Sequence, residues 1–250
     1  NTLQKCELAL LKEILKICEL HNISYVMLGG TMLGAIRHKG FIPWDDDIDI
    51  GMPRNDYERF IKIFDSLNYD NIRLQNYKNQ REGDIKTYPL QLVDVSYEFK
   101  VNTGSKTFNR YAWIDIFPLD GMPENKFLFL VHKYKLLINR CLLKLSQFDQ
   151  VVKNARNRPW YEMLIIKFAI WFPFIKNNLN EKKYFEKIDY LLKKYQYEQS
   201  YYVVNFMGAY KFKEMFPKKV YKNKVKYKFE DVILYGPKDY DIYLEQMYGD

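Results

Sequence analysis

Four aspartates in five positions form the densest group of chemically active residues in this sequence. They lie in the segment PWDDDIDIG as Asp45, Asp46, Asp47 and Asp49. Side chains of an extended chain alternate between its two faces, so Asp47 and Asp49 are predicted to share one side. Two such carboxylates repel each other unless a cation lies between them, and their oxygens suit Mg²⁺ or Mn²⁺. We therefore predict a metal site at Asp47 and Asp49, with Asp45 and Asp46 around it or in solvent.

A glycine turn precedes the aspartates. The motif Gly29-Gly30-Thr31 follows SYVML (24–28), a predicted buried strand, and TMLGAIRH is predicted to begin a helix with Thr31 as its cap. Glycines let a backbone approach a ligand closely, and the free N–H groups at a helix start can bind phosphate. Gly29, Gly30 and Thr31 are therefore predicted to bind a phosphorylated donor.

The order of these elements resembles the polymerase-β-like nucleotidyltransferase fold: a strand, a GG[ST] turn, a helix, then a strand with spaced aspartates. That resemblance implies the α+β class, a mixed sheet with flanking helices, and a third carboxylate on a later strand. Asp115, in the apolar segment WIDIF, is predicted to be this residue, because a buried aspartate there needs a metal or a donor as partner. Asp120, which follows Pro118, is expected to be a turn residue.

The block GGTMLGAIRHKGFIPWDDDIDIGMPRNDYERF resembles the LicD/fukutin family of phosphotransferases, as do WIDIFPLDG and the closing FEDVILYGPKDYDIYLEQMYGD. The resemblance implies transfer of a phospho-alcohol from a cytidine diphosphate donor to a sugar hydroxyl, with release of CMP. For a bacterial member it implies phosphocholine, CDP-choline and a cell-surface glycan such as lipopolysaccharide or a teichoic acid precursor. It places the metal ligands and catalytic carboxylates at Asp47, Asp49 and Asp115.

Several alternatives remain open at this level. Asp115 could complete the metal site or accept the proton of the acceptor hydroxyl. The donor could carry ribitol or glycerol phosphate in place of phosphocholine. A true nucleotidyltransferase, which releases pyrophosphate from a nucleoside triphosphate, would have the same metal site, whereas a non-catalytic binding protein would need no spaced carboxylates.

Three further residues are predicted to contact the donor. Choline is a quaternary ammonium, which aromatic faces bind. Trp44, beside the acidic cluster, and Trp113, beside Asp115, are the predicted head-group contacts, although each could pack in the core instead. Arg37 is predicted to reach a donor phosphate with its guanidinium, and an ordinary surface arginine is the competing interpretation.

Hydrophobic spacing divides the chain into three parts. Residues 1–125 alternate helices and strands and are predicted to form the catalytic core. Residues 126–198 are predicted to be a helical insertion that faces the membrane or the acceptor. Residues 199–250, with a strand region from 220 to 234 and a short helix, are predicted to complete the catalytic domain.

The formal net charge of +8 is unevenly distributed, since the excess of Lys and Arg lies in residues 126–250. No nucleic-acid partner is expected, because a uniformly basic surface is not predicted. The aromatic segment 159–174, flanked by cations and too short to span a bilayer, is predicted to lie at a membrane interface, although a buried helix fits equally well. Alternating lysines between 222 and 228 predict a strand with a lysine face, either solvated or attractive to anions.

The three cysteines, Cys6, Cys18 and Cys141, are too scattered for a disulfide framework, which favours the reducing cytosol. Together with the family resemblance, this predicts a cytoplasmic enzyme, peripheral at the inner face of the plasma membrane. Its acceptor glycan is then expected to be carried on a polyprenyl lipid.

Overall fold

Helix α1 (Thr2–Leu20) begins the part of the chain that this computed structural model describes, residues 2–79, 81–84, 87–102, 107–147 and 179–249. Its buried side chains recur at helical spacing, and Leu10, Leu11 and Ile14 belong to the main core. Cys6 and Cys18 are buried free thiols on the same helix. Because its apolar stripe packs on the central strands, α1 covers part of the sheet.

A mixed sheet, seven-stranded in the described chain, forms the centre of the fold. Its main path runs β1 (Val26–Met27), β2 (Asp49–Pro53), β5 (Thr107–Met122), β4 (Leu90–Asn102) and β3 (Ile72–Gln75). β2 and β5 are parallel, and the other neighbours on this path are antiparallel. The predicted α+β class is confirmed.

Two helices flank the strands that carry the predicted site. α2 (Gly29–Arg37) connects β1 to the acidic loop, and α3 (Arg54–Asp65) follows β2 directly. Phe60 and Phe64 of α3, which share one face of the helix, are buried in the main core.

β5 extends beyond this path into a second group of elements. Its last residues pair with β6 (Tyr202–Val204), which pairs with β7 (Met215–Pro217). Helices α4 (Lys126–Ser146) and α5 (Glu181–Leu192) pack together around a separate apolar cluster. These two helices confirm the predicted helical character of the middle of the chain where it is described.

The C-terminal part is a hairpin between two helices: α6 (Lys218–Lys222), β8 (Lys224–Phe229), β9 (Val232–Pro237) and α7 (Tyr240–Tyr248). The prediction that the strand region begins at Val220 is wrong, because Val220 is a buried residue of α6 and the strand β8 begins only at Lys224. Lys222 therefore lies in α6. On β8, Lys224 is not simply solvated, because its ammonium donates to the Ser24 hydroxyl at 2.7 Å.

A buried arginine joins α3, β5 and α5. Arg54 is 8% exposed, and its guanidinium donates to both carboxylate oxygens of Asp120, at 2.6 and 2.7 Å. It also donates to Asp189 of α5 at 3.1 Å. The expectation that Asp120 lies in a turn is wrong: it lies in β5 and is 1% exposed, because neutralisation by Arg54 permits its burial.

Within the described ranges, none of the helices is both long enough and apolar enough to cross a bilayer. The aromatic segment 159–174, predicted to lie at a membrane interface, falls outside those ranges. The boundaries at residues 125 and 198 stay predictions.

Candidate active site

Two of the three predicted carboxylates are direct neighbours in the sheet. Asp49 of β2 and Asp115 of β5 occupy paired positions of the parallel ladder. Side chains at paired positions point to the same face, from strands about 4.8 Å apart. The Asp115 N–H donates to the Ile48 carbonyl at 3.0 Å and helps to hold this register. The sheet therefore brings together two carboxylates that are far apart in the sequence.

Asp47 completes the group, although it does not lie in the strand as the sequence predicts. β2 begins at Asp49, so Asp47 belongs to the preceding loop. Nevertheless, one carboxylate oxygen from each of Asp47, Asp49 and Asp115 lies within 4.8 Å of the others. Asp45 and Asp46 are outside this group, and Asp46 is exposed.

Removal from water and mutual repulsion make these charges costly. Burial raises the pKa of Asp47 to about 7, and the charges of Asp45 and Asp115 add to the rise. Burial, with the charges of Asp115 and Asp47, raises the pKa of Asp49 well above its usual range. Burial also raises the pKa of Asp115. A divalent cation would remove this repulsion, so the group favours cation binding.

Two neutral donors orient the Asp115 carboxylate. The Gln91 amide, at the paired position on β4, donates to Oδ1 at 2.8 Å, and the Trp113 indole donates to Oδ2 at 3.2 Å. Each oxygen keeps a lone pair for a metal or a proton. Gln91 was not predicted, because its contact depends on the β4–β5 register.

The two tryptophans predicted to bind a head group lie in different surroundings. Trp113 is 5% exposed, and the Arg110 guanidinium carbon lies 3.7 Å from its ring centroid. Trp44 is 84% exposed. Trp113 is thus a buried hydrogen-bond donor to Asp115, whereas the Trp44 ring is exposed to solvent. The head-group role stays a prediction for both.

The glycine turn is attached directly to the acidic strand. Gly29 has a φ of +50°, a conformation that favours glycine, and its N–H donates to the Tyr243 hydroxyl of α7 at 2.8 Å. The Thr31 hydroxyl accepts the Asp49 N–H at 2.8 Å. The prediction that Thr31 caps α2 is wrong, because the helix begins at Gly29 and Leu28 is its N-cap. Thr31 instead anchors Asp49.

Both glycines of the turn lie against carboxylates. A Cβ on Gly29 would lie 2.9 Å from Asp49 Oδ2, and one on Gly30 would overlap Asp45 Oδ2. Arg37 is exposed at the opposite end of α2 from the two glycines. Unlike the glycines, it is not placed against the carboxylates. Donor binding by the Gly29-Gly30-Thr31 turn and by Arg37 stays a prediction.

A buried glutamate near the site was not predicted. Glu7 of α1 has no exposed surface, and neither of its carboxylate oxygens has a hydrogen-bond partner. Burial, with repulsion from Asp47 and its neighbours, raises the pKa of Glu7 to about 9. One helical turn earlier, the Gln4 amide donates to the Asp45 carbonyl at 2.8 Å, so α1 is tied to the acidic loop. The sequence did contain a signal, since Glu7 falls on the apolar stripe of α1.

Glu7→Gln is expected to raise the free energy of unfolding in EDTA at pH 7 by roughly 1–3 kcal/mol, because glutamine is neutral in both states whereas Glu7 must take up a proton to be buried. The folded-state pKa of Glu7 is about 9 and its ordinary value is 4.5, so the cost of this proton uptake grows as pH rises between these values. The stability gain should grow over the same window. Urea unfolding between pH 5 and pH 9 measures it.

The matched control for Glu7→Gln is Glu19→Gln, at an exposed position of the same helix. This control should change stability little at any of these pH values. An equal gain in both variants, or a gain that shrinks as pH rises, would contradict the conclusion that burial of Glu7 destabilises the folded state.

The donor set fits a divalent cation. Three carboxylates with converging oxygens are ligands of the kind that Mg²⁺ and Mn²⁺ take, and the neutral donors to Asp115 orient one of them. Such a site can hold a phosphorylated ligand through the metal, and a carboxylate oxygen can accept a proton from a hydroxyl.

Comparison with known proteins agrees with this geometry. Residues 22–128 match the family model described as LicD/FKTN/FKRP, nucleotidyltransferase domain. The chain is 29% identical over 236 residues to the lipopolysaccharide cholinephosphotransferase LicD of Haemophilus influenzae, an alignment that covers 94% of this chain and 84% of the relative. It is 27% identical over 195 residues to an uncharacterized protein of Rickettsia prowazekii, covering 70% of this chain and 63% of the relative.

The matched range contains the glycine turn, the acidic loop and Asp115, which are the elements that form the carboxylate site. The similarity to the Haemophilus protein extends over nearly the whole chain, as the motifs at both ends predict. Residues 22–128 thus match the nucleotidyltransferase domain of the LicD/FKTN/FKRP family, and the chain as a whole is similar to a LicD cholinephosphotransferase.

Proposed function

We propose that this protein transfers phosphocholine from CDP-choline to a sugar hydroxyl of a cell-surface glycan and releases CMP. The observation that carries the proposal is the convergence of Asp47, Asp49 and Asp115 beside a glycine turn, within the matched domain. The phosphocholine group and the lipopolysaccharide type of acceptor are taken from the activity for which the Haemophilus relative is named.

In this reaction the acceptor oxygen forms a bond to the phosphorus that carries choline. The bond from that phosphorus to the bridging oxygen breaks, and its electron pair leaves with CMP. The hydroxyl proton passes to a carboxylate oxygen of the site. Mg²⁺ or Mn²⁺ held by Asp47, Asp49 and Asp115 would neutralise the charge of the two phosphates. Because β2 and β5 hold Asp49 and Asp115 in register, these carboxylates are already organised before the donor binds.

The proposal also assigns roles to the surrounding segments. The Gly29-Gly30-Thr31 turn and Arg37 bind the donor phosphates, in a polymerase-β-like nucleotidyltransferase arrangement supported by the paired aspartates of β2 and β5. Residues 1–125 and 199–250 form the catalytic domain, and residues 126–198 face the acceptor or the membrane. We place the reaction at the cytoplasmic face of the plasma membrane, with the acceptor glycan on a polyprenyl lipid.

Incubation with CDP-choline, Mg²⁺ and candidate acceptor glycans tests the proposed function. CMP release is expected to depend on the acceptor and to stop when EDTA is added. CDP-ribitol and CDP-glycerol are the competing donors, and cytidine triphosphate with phosphocholine tests nucleotidyl transfer. Faster CMP release from CDP-ribitol or CDP-glycerol would exclude choline as the preferred head group. Pyrophosphate release without CMP release from any CDP-alcohol would overturn the phosphotransferase assignment.

A further inference from the structure

Two partly exposed tyrosines lie edge to face beside the carboxylate site. The ring centroids of Tyr210 and Tyr248 are 6.0 Å apart, and their planes make an angle of 86°. Tyr210 is 44% exposed and Tyr248 is 40% exposed. The pair therefore presents aromatic surface from two directions to a ligand in solvent.

Tyr248 brings this pair to the carboxylates. Its hydroxyl lies 3.7 Å from the position that a Cβ on Gly29 would take, and Asp49 Oδ2 lies 2.9 Å from the same position. The pKa of Tyr248 is raised by burial and then by the neighbouring Tyr210, Asp49 and Asp45. The tyrosine pair is thus adjacent to the carboxylates that would hold the donor phosphates.

Hydrogen bonds fix the two segments that carry the rings. The Gln246 amide donates to the carbonyls of Lys213 and Met215, at 2.6 and 2.9 Å, and ties α7 to the short 3₁₀ helix Lys211–Glu214. The Tyr210 N–H donates to Glu214 at 3.1 Å. Rings that are already positioned lose little conformational entropy when a ligand binds.

The electrostatics of this region favour a cationic ligand. Glu214, which accepts from the Tyr210 backbone, is 3% exposed, and Asp45 and Asp49 lie on the Tyr248 side. The Lys213 ammonium lies 5.7 Å from the Tyr210 ring centroid, and a cationic ligand on this ring would take its place. Aromatic faces bind quaternary ammonium groups in the same way.

We propose that Tyr210 and Tyr248 form the subsite for the trimethylammonium group of the donor. This inference rests on the proposed function, because the choline arm reaches the tyrosines when the donor phosphates lie at Asp47, Asp49 and Asp115. Neither tyrosine was predicted as a head-group contact from the sequence, where Trp44 and Trp113 were the nearest aromatic residues to the aspartates.

Calorimetric binding of CDP-choline and CDP-glycerol in Mg²⁺ tests the subsite. The wild type is expected to bind CDP-choline on the order of tenfold more tightly than CDP-glycerol, because glycerol carries no cation. Tyr210→Leu combined with Tyr248→Leu should abolish this preference and leave the affinity for CMP unchanged. Tyr210→Phe combined with Tyr248→Phe keeps both rings and should keep the preference.

A second exposed tyrosine pair offers a matched control. Tyr201 and Tyr202 have ring centroids 4.8 Å apart at 81°, and Tyr202 pairs with Met122, the last residue of β5. Tyr201→Leu combined with Tyr202→Leu should keep the preference for CDP-choline. A melting curve of each variant confirms that it is folded.

Two results would overturn the subsite: equal affinity of the wild type for the two donors, or a preference that survives leucine at both Tyr210 and Tyr248. A tyrosine-dependent preference without CMP release from CDP-choline would refute the proposed function and support the subsite. The two hypotheses can therefore fail independently.

Discussion

Asp49→Asn is expected to lower the rate of CMP release from CDP-choline by on the order of 10³-fold. Asparagine keeps the shape of the side chain but removes one of the three carboxylates whose oxygens lie within 4.8 Å of one another. The neutral amide holds a divalent cation less tightly than a carboxylate does. The charge of the two donor phosphates is then no longer balanced by that cation. The measurement is kcat at saturating Mg²⁺ and donor.

The same substitution is expected to raise the melting temperature in EDTA. The pKa of Asp49 is well above its unfolded-state value, so the ionised carboxylate destabilises the folded state at any pH above that unfolded value. Asparagine removes this cost. Mg²⁺ should then stabilise the wild type more than the variant, because the variant has lost a ligand.

Asp46→Asn is the matched control, because Asp46 is exposed and lies outside the group of three carboxylates. Its turnover and its stabilisation by Mg²⁺ should remain near those of the wild type. Near-normal turnover in Asp49→Asn would exclude the metal site proposed for these carboxylates. A lower melting temperature of that variant in EDTA would contradict the destabilisation assigned to burial and repulsion of Asp49.

Asp120→Asn is expected to lower the free energy of unfolding by about 3–5 kcal/mol, because it leaves the buried Arg54 guanidinium without its bidentate partner. For a protein of this size such a loss corresponds to a fall in melting temperature of roughly 6–20 °C. Urea unfolding measures it. Arg54→Met combined with Asp120→Leu should recover much of the loss, since both buried charges are removed together and Lys193 still pairs with Asp189 at 2.9 Å.

The Lys12–Asp231 pair is the control for this prediction. Its N–O distance is 2.6 Å, the same as between Arg54 and Asp120, but its side chains are 48% and 60% exposed. Because water screens an exposed pair, Asp231→Asn should not change the melting temperature measurably. Equal effects of Asp120→Asn and Asp231→Asn would show that burial does not determine the strength of the Arg54 pair.

Asp120→Asn and Asp49→Asn distinguish residues that stabilise the fold from residues that carry out the reaction. Burial raises the pKa of Asp189, but Arg54 and Lys193 outweigh this effect and hold it below its usual value. The Arg54 group thus attaches α5 to β5, the strand that also carries Asp115. Asp120→Asn should therefore reduce stability, whereas Asp49→Asn should reduce turnover without loss of stability.

Much of the site was predictable because its motifs are local. The spacing of Asp47 and Asp49, the Gly29-Gly30-Thr31 turn and the apolar surroundings of Asp115 are properties of short segments, and the α+β class follows from the order of such segments. The family resemblance rests on the same segments, and the match over residues 22–128 confirms it.

Contacts between distant segments were not predictable. The β2–β5 register sets Asp49 beside Asp115, and the β4–β5 register brings Gln91 to Asp115. A shift of one residue in either register would turn the opposite face of a strand to the site. No local pattern encodes that choice.

The sequence by itself determined which carboxylates are available for chemistry, the class of the fold and the resemblance to a known family. Only the tertiary structure decided what surrounds the carboxylates: the raised pKa of Glu7, the buried Arg54–Asp120 pair and the tyrosines of the C-terminal half. The reason is physical. Residue type and short-range spacing act within one segment, whereas burial, pKa and ligand shape arise from packing between segments that are distant in the chain.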